Sequence, residues 1–216
     1  TDKTVNPTSL LGVSKTLMEK KLSQFKQANK KTFVSSVRFA NVSFSNGSIL
    51  KYAIDRINKK KLFGVPKTIK RYFITHDEAS SLCFKSLLKK NDKMILLPND
   101  NILNKEYLIK DLITKILKLN GYYPNFINKF KNKHARINKR YPVILTEPNT
   151  HGQKYYEHFH EDSEKLYFDK KDKTISRVEL PIANNIDKIL NNLLSKNSIK
   201  TIKSFLMKNF KSYKPP

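Results

Sequence analysis

The sequence predicts an α/β protein in which a parallel sheet is covered by helices. Amphipathic segments with apolar residues three and four positions apart alternate with short β-branched and aromatic runs through the front of the chain. The 216 residues, 38% of them hydrophobic, are enough for one sizeable core or two small ones. No apolar run approaches the roughly 18 residues of a membrane-spanning helix, and no internal repeat is visible.

The first elements alternate between helix and strand. An amphipathic helix is predicted over residues 9–25, with Lys15 near its start, and a short strand over 32–39 follows it. A second helix is expected over 48–60, and residues 68–75 form an extended segment. This order indicates a strand reached through a crossover helix, as in parallel sheets.

Capping chemistry marks the next helix. The Thr75 hydroxyl and the Glu78 carboxylate can each satisfy a backbone donor of the other residue, so a capping box opens a helix that runs to residue 88. A brief apolar strand is predicted over 94–97 and ends at Pro98.

The second half of the chain has a weaker pattern. A periodic helix is expected over 105–119, with Gly121 as its left-handed stop, and a strand over 141–146. From residue 184 onward the sequence predicts two amphipathic helices separated by the polar residues 195–198.

The charge of the chain is strongly basic, with a formal net charge of +25 and a pI near 10. Such a charge is typical of proteins that bind phosphates. However, 37 of the 43 basic residues are Lys and only 6 are Arg, and they are scattered among 21 Asn. Proteins that bind phosphates or nucleic-acid bases favour Arg, whose planar guanidinium can form two parallel hydrogen bonds. A coding sequence rich in A and T explains this composition, so no nucleic-acid partner is expected.

The chain contains one cysteine, Cys83, which excludes an internal disulfide. Its apolar neighbours Leu82 and Phe84 predict a buried thiol. A chain without disulfides fits a reducing compartment, and we expect a cytoplasmic protein, whose full-length form can carry N-terminal membrane helices.

The first fifteen residues contain a cluster of reactive side chains. Thr1, Asp2 and Lys3 place a hydroxyl, an acid and an amine side by side, and Gly12 and Lys15 follow. An elimination that removes a proton and a hydroxyl from neighbouring carbons needs an acid and a base of this kind. The segment resembles the catalytic segment of nucleotide-sugar 4,6-dehydratases, which are extended short-chain dehydrogenases/reductases of the polysaccharide-biosynthesis type.

The resemblance implies a role for each of these residues. Asp2 matches the acid and Lys3 the base, and Thr1 stands where the family has Ser or Thr. Lys15 matches the Lys of a Tyr-x-x-x-Lys pair that orients the nicotinamide ribose, so NAD or NADP is the implied cofactor. Leu11 occupies the Tyr position, which resembles a dehydratase branch that carries Met there. Thr1 is then the candidate for deprotonating the hydroxyl on carbon 4 of the sugar.

Two downstream segments resemble substrate-binding motifs of the same family. Residues 37–42 and 45–48 are similar to the R-F-x-N-V and S-x-G-S stretch, and residues 70–75 are similar to the T-R-F-x-T segment. The implied substrate-binding residues are Asn41, Ser45, Gly47, Ser48 and Arg71. Among these, Asn41 and Arg71 are expected to contact the diphosphate. Taken singly, Asn41 is equally explained as a turn residue and Arg71 as a solvated charge.

Residues 150–159 loosely resemble a C-terminal T-G-E-K-x-x-E-E-F stretch of these enzymes, expected near the nucleotide. At the end of this stretch, His158 and His160 would share one face of a strand beside Glu157, an arrangement that also suggests a metal site. No second ligand pair at a suitable spacing accompanies them. We therefore favour a polar surface patch and expect no metal.

The resemblance also implies a division of the chain. A dinucleotide fold begins with a strand, a G-x-G-x-x-G turn and a helix, and this chain has no such stretch. The expected fold is the C-terminal part of a Rossmann-like doubly wound parallel sheet, plus a smaller mixed α/β substrate domain and a helical tail. The N-terminal nucleotide-binding half is expected to be missing. The predicted divisions are residues 1–100, 101–183 and 184–216.

The implied function is conversion of UDP-N-acetylglucosamine, or a close UDP-N-acetylhexosamine, to a 4-keto-6-deoxy sugar for surface glycans. The UDP-sugar is the expected partner, and the full-length protein is expected to be a homo-oligomer. Two alternatives stay open. A nucleotide-sugar epimerase shares the scaffold but retains the Tyr, and a basic module would bind nucleic acid or anionic lipid through the lysines of its tail helices.

Overall fold

The computed structural model describes residues 2–99, 103, 105–128, 138–148, 154, 156–182 and 185–214. It is a mixed α/β structure that contains parallel strand pairs. Its six helices within these ranges are α1 (Leu10–Ala28), α2 (Ile49–Asn58), α3 (His76–Ser86), α4 (Ile109–Leu119), α5 (Ile186–Leu194) and α6 (Ile199–Asn209). None of the described helices is both long and apolar enough to cross a membrane.

The strands are short, and several contain only two residues. In chain order they are β1 (Ser36–Val37), β2 (Asn41–Val42), β3 (Phe63–Pro66), β4 (Lys70–Arg71), β5 (Phe73–Ile74), β6 (Met94–Pro98), β7 (Tyr107–Leu108), β8 (Tyr123–Ile127), β9 (Arg140–Thr146), β10 (Tyr167–Phe168) and β11 (Ile175–Glu179).

These strands form two larger sheets and two small pairs. The four-stranded sheet has the order β1-β6-β11-β10, in which β1 and β6 are parallel and β11 is antiparallel to both of its neighbours. The three-stranded sheet has the order β3-β9-β8 and is parallel throughout. The pair β2–β5 is parallel, and the pair β4–β7 is antiparallel.

Three groups of buried apolar side chains hold these layers together. Helices α2 and α4 pack with the three-stranded sheet around Ile57, Ile113 and Val143. Helix α3 covers the four-stranded sheet. Helix α1 buries Val13 and Leu17 against the tail helices. Removal of this apolar surface from water is the main driving force for folding.

The predicted helices are largely confirmed. Their N-terminal caps depend on contacts between residues that are close in sequence, which makes such helices predictable. Ser9 and Ser48 cap α1 and α2, with each hydroxyl accepting from a backbone N–H three residues on. Both hydrogen bonds of the capping box at Thr75 are present. Gly121 follows the end of α4 at φ +79°, as predicted for a left-handed stop. The two tail helices are also present.

Several other predictions were wrong in extent. The strand expected over 32–39 contains only two residues. The helix expected from residue 105 begins at Ile109, because residues 107 and 108 pair with β4 instead. Cys83 is exposed, not buried, since α3 turns Ala79 and Leu82 toward the sheet. Strands β2, β3, β7, β8, β10 and β11 were not predicted.

The two main cores each combine chain segments from both sides of residue 100. Strand β11 lies beside β6, and β9 lies beside β3. The Rossmann-like assignment and the divisions at residues 100 and 183 stay predictions.

Candidate active site

A cleft of about 340 Å³ opens where several chain segments meet. They include the 3-10 turn Asp2–Thr4, the start of α2 and the stretch from β3 to β5, and Asn41, Lys154 and Glu157 also line the cleft. Six residues predicted for catalysis or substrate binding line it: Asp2, Lys3, Asn41, Gly47, Ser48 and Arg71. Residues about 70 positions apart in sequence are thereby brought to one cavity.

The 3-10 turn that carries Asp2 and Lys3 is fixed against helix α1. Asp2 is only 5% exposed, and the Lys3 ammonium lies 3.4 Å from its carboxylate. The Thr16 hydroxyl donates to the carbonyl of Thr4 at 2.8 Å. A Cβ on Gly12 would lie 2.7 Å from the Lys3 carbonyl oxygen, so only glycine permits this close approach. The turn therefore presents an acid and an amine together at the cleft.

Lys154 holds the same turn from the opposite side. Its ammonium donates to the carbonyl of Asp2 at 2.9 Å and also to the carbonyl of Val5. Burial lowers the pKa of Lys154, while the nearby charge of Asp2 acts in the opposite direction. Lys154 also lines the cleft.

Glu157 is a buried carboxylate that organises the two residues predicted to bind a diphosphate. Its side chain is 3% exposed and lies 3.2 Å from Nε of Arg71. It accepts a hydrogen bond of 2.8 Å from the Asn41 amide and one of 3.0 Å from the backbone N–H of Tyr72. Burial, followed by the nearby charge of Asp2, raises the pKa of Glu157 despite these donors.

The N-terminus of α2 forms a further wall of the cleft. Gly47 adopts φ +78°, a left-handed conformation that glycine adopts without strain. Apart from its two chain neighbours, no described residue has an atom within 4 Å of the place of its missing Cβ. Ser48 caps the helix by accepting from the N–H of Lys51 at 3.2 Å. The exposed N–H groups of a helix start favour a negative ligand.

The remaining wall of the cleft is apolar. It is formed by Pro66, Ile69, Phe73 and Ile109. The Phe73 ring packs edge-on against Tyr107 at a centroid distance of 6.5 Å. The cleft thus joins a polar, cation-bearing side to a side that suits a flat or weakly polar ring.

Three other predicted site residues are not among the described residues that line the cleft. Thr1 lies outside the described residues. Lys15 is half-buried on α1, and its ammonium lies 3.8 Å from the Met18 sulfur. Ser45 forms the turn before α2, where its hydroxyl donates to the carbonyl of Val42 at 2.9 Å. The roles assigned to these residues stay predictions.

The sequence predicted a polar surface patch around His158. For Glu157 this prediction was wrong, because its side chain faces inward to Asn41 and Arg71. Among the described residues, no group of three or more His, Cys, Asp or Glu is arranged to hold a metal ion.

Sequence reasoning did not single out Lys154 and Glu157 as site residues. The signal that could have identified them is the loose match of residues 150–159 to a family stretch, in which both positions occur. Arg38, the Arg of the R-F-x-N-V match, has a structural role instead. It is 3% exposed, and its guanidinium forms ion pairs with Glu19 and Glu164.

Comparison with known proteins gives consistent matches. Residues 1–178 match the model of a family described as polysaccharide biosynthesis protein. The capsular polysaccharide biosynthesis protein CapD of Staphylococcus aureus is 29% identical over 163 residues, which cover 73% of this chain and 26% of that protein. The probable polysaccharide biosynthesis protein EpsC of Bacillus subtilis is 27% identical over 165 residues, covering 74% and 26%. The chain therefore spans about a quarter of the length of these curated relatives.

A solved structure shares the fold. The X-ray structure of Pen from Bacillus thuringiensis superposes with a TM-score of 0.61 at 14% identity, covering 79% of this chain and 47% of that one.

Proposed function

The chain belongs to the family of polysaccharide biosynthesis proteins, and from this membership and the cleft we propose that it forms the substrate side of a nucleotide-sugar 4,6-dehydratase. The proposed substrate is UDP-N-acetylglucosamine or a close UDP-N-acetylhexosamine, and the product is its 4-keto-6-deoxy form. The observation that carries the proposal is the meeting of Asp2, Lys3, Asn41 and Arg71 at one cleft.

The two sides of the cleft suit the two parts of such a ligand. We propose that Arg71, Asn41 and the start of α2 bind the diphosphate, because charged and amide donors form strong hydrogen bonds to phosphate oxygens. The apolar wall formed by Pro66, Ile69, Phe73 and Ile109 offers a surface for the nucleobase. The hexose would then extend toward Asp2 and Lys3.

In the proposed chemistry, Lys3 in its neutral form takes the proton from carbon 5 of a 4-keto sugar, which the ketone has made acidic. Asp2 in its protonated form donates a proton to the departing hydroxyl of carbon 6, so a carbon–carbon double bond forms and water leaves. Bound NAD or NADP would supply the redox chemistry, which is removal of a hydride from carbon 4 and its return to carbon 6. Lys3 would then give its proton back to carbon 5, which completes the 4-keto-6-deoxy product. Lys15 is the residue of this chain that we propose contacts its ribose, and no phosphate-binding glycine motif for the cofactor occurs in the sequence.

The epimerase alternative is less well supported. An epimerase of this scaffold needs the Tyr hydroxyl, and the chain has Leu11 at that position, with 54% of its surface exposed. The adjacent acid and amine of Asp2 and Lys3 are the groups that an elimination requires and a simple hydride shuttle does not.

The first test is nucleotide binding by the chain itself, measured by isothermal titration calorimetry with UDP. We expect Arg71→Ala to weaken binding by at least about tenfold, because a hydrogen bond to a charged group contributes about 1.5–3 kcal/mol. Arg56→Ala is the matched control, because Arg56 lies on α2 with its guanidinium over the Tyr52 ring. Absence of UDP binding, together with salt-sensitive retention on heparin, would favour the basic binding module.

The second test is turnover in the protein encoded by the complete reading frame that contains this chain. Product is detected by mass spectrometry as loss of water from UDP-N-acetylglucosamine. Lys3→Ala should abolish the product while UDP affinity stays within about threefold of the original. Unchanged turnover in this variant would contradict the role of Lys3.

A further inference from the structure

We infer that Lys154 is a positioning residue that fixes the turn carrying Asp2 and Lys3 and connects it to Arg71. The inference deepens the proposed function and rests on it for its catalytic consequence. Its structural part, the fixing of the turn, can be tested without any turnover.

The ammonium of Lys154 is bound by the main chain of the turn. It donates to the carbonyl oxygens of Asp2, at 2.9 Å, and of Val5. These two residues enclose Lys3, so both ends of the segment that presents the amine are held by one group. The Asp2 carbonyl also accepts from the N–H of Val5 at 3.3 Å, which closes the turn on itself. An ammonium can serve several acceptors at once because it has three donors.

The backbone of Lys154 makes the second connection. Its carbonyl accepts a hydrogen bond of 2.8 Å from Nη2 of Arg71. Glu157 lies three positions after Lys154, and its carboxylate is 3.2 Å from Nε of Arg71. A continuous path of hydrogen bonds therefore runs from Arg71 through Lys154 to the backbone of Asp2.

The two connections use different parts of Lys154, and this gives a distinctive expectation. Replacing the side chain removes the bonds to the turn but keeps the carbonyl that holds Arg71. Substrate affinity should thus be preserved while the acid and the amine lose their fixed position. A displacement of about 1 Å of a catalytic group can reduce turnover by on the order of 100-fold.

Lys26 is a matched control elsewhere in the fold. It is buried, whereas Lys154 is half-buried, and its ammonium donates to the carbonyls of Lys30 at 2.9 Å and Thr32 at 2.5 Å and pairs with Asp92 at 2.8 Å. Lys26→Met removes an ammonium bound to two carbonyls, as Lys154→Met does, but Lys26 is not among the residues that line the cleft. A loss that arises only from lower stability should affect both variants.

The experiment compares Lys154→Met, Lys154→Gln, Lys154→Arg and Lys26→Met with the unchanged protein. Amide hydrogen exchange of the chain, followed by mass spectrometry, should be at least about tenfold faster in the peptide covering residues 2–8 for Lys154→Met and Lys154→Gln. The Lys26→Met variant should leave that peptide unchanged. Faster exchange in Lys154→Gln alone is sufficient support where Lys154→Met does not fold.

In the full-length protein, kcat of Lys154→Met should fall by at least about tenfold with KM for the UDP-sugar within about threefold. Lys154→Arg should recover most of kcat, because a guanidinium also donates to carbonyls. Unchanged exchange in the turn for both neutral variants would overturn the inference, whatever the turnover results show. Failure of the unchanged protein to form product, with exchange altered as expected, would refute the dehydratase proposal and leave the positioning of the turn standing.

Discussion

The ionic cluster centred on Arg38 provides the most direct test of how the fold is stabilised. Arg38 lies just after β1, Glu19 on α1, and Glu164 in the segment after Phe159. All five N–H groups of the guanidinium have acceptors. Nε donates to Glu19, and the two terminal nitrogens donate to Glu19, to Glu164 and to the Phe159 carbonyl, at 2.7 to 3.2 Å. Burial alone would lower the pKa of Arg38, but these two carboxylates raise it above its ordinary value.

Replacing Arg38 by Met leaves the carboxylates of Glu19 and Glu164 close together, with side chains only 9% and 16% exposed. Removing one partner of a buried ion pair costs about 3–5 kcal/mol, because the remaining charge is uncompensated. We expect the free energy of unfolding to fall by this amount. Lysine should restore only part of it, since an ammonium has three donors where the guanidinium has five.

The assay is urea unfolding of the chain followed by circular dichroism. With an m-value of about 3 kcal/mol/M, the expected loss shifts the midpoint down by about 1–2 M. The triple variant Arg38→Met, Glu19→Gln, Glu164→Gln should be more stable than Arg38→Met alone, because the uncompensated charges are gone. A midpoint for Arg38→Met within about 0.3 M of the original would refute the view that this cluster fixes the 159–164 segment.

Three further predictions follow from single contacts. Gly12→Ala should lower the free energy of unfolding, measured with urea, by about 1–3 kcal/mol, because the added Cβ would lie 2.7 Å from the Lys3 carbonyl oxygen. It should also lower kcat more than UDP affinity, and an unchanged kcat would contradict this. Tyr141→Phe should lower the free energy of unfolding by about 1–2 kcal/mol, since the Tyr141 hydroxyl donates to the Lys61 carbonyl at 2.7 Å. The control Tyr123→Phe, at a 62% exposed position, should leave the urea midpoint unchanged. The raised pKa of Glu157 means that the folded state holds this proton more tightly than the unfolded state, so Glu157 favours folding most at pH values below the ordinary pKa of 4.5. Its contribution should then decline as the pH rises through the folded-state pKa, and Glu157→Gln should remove that slope from urea midpoints measured between pH 4 and 7; parallel pH profiles would contradict it.

The parts of the fold that the sequence predicted are those encoded by near neighbours. Ser9, Ser48 and Thr75 cap helices through contacts that span three residues, so their chemistry is visible in a short stretch. The strands β10 and β11 were missed for the opposite reason. Strand β11 pairs with β6 and β10 pairs with β11, so both depend on distant partners. Strand β10 has only two residues, and β11 contains Arg177 and Glu179, so neither shows an alternation that marks a buried strand.

The candidate site divides in the same way. Asp2, Lys3 and Arg71 were predicted because they stand in short motifs with recognisable neighbours. Lys154 and Glu157 act on residues 152 and 116 positions away, at Asp2 and Asn41, and their chemistry is evident only when the chain is folded. One lysine among 37 carries no individual signal in the sequence.

Helix α1 links these observations, because its faces serve different parts of the molecule. Gly12 and Thr16 contact the turn that carries Asp2 and Lys3, whereas Val13 and Leu17 are buried against the tail helices.

The tail also reaches the segment after the turn directly, since the Ser212 hydroxyl donates to the Pro7 carbonyl and the Lys214 N–H donates to the Thr8 carbonyl, both at 3.1 Å. The tail helices are therefore part of the support of the cleft, and their apolar side is already used within the chain. Lys15 lies on the same rigid helix as Gly12 and Thr16, one turn or less away. Any group that Lys15 binds is consequently held at a fixed position relative to Asp2 and Lys3. A fixed geometry of this kind is what a reaction between two bound molecules requires.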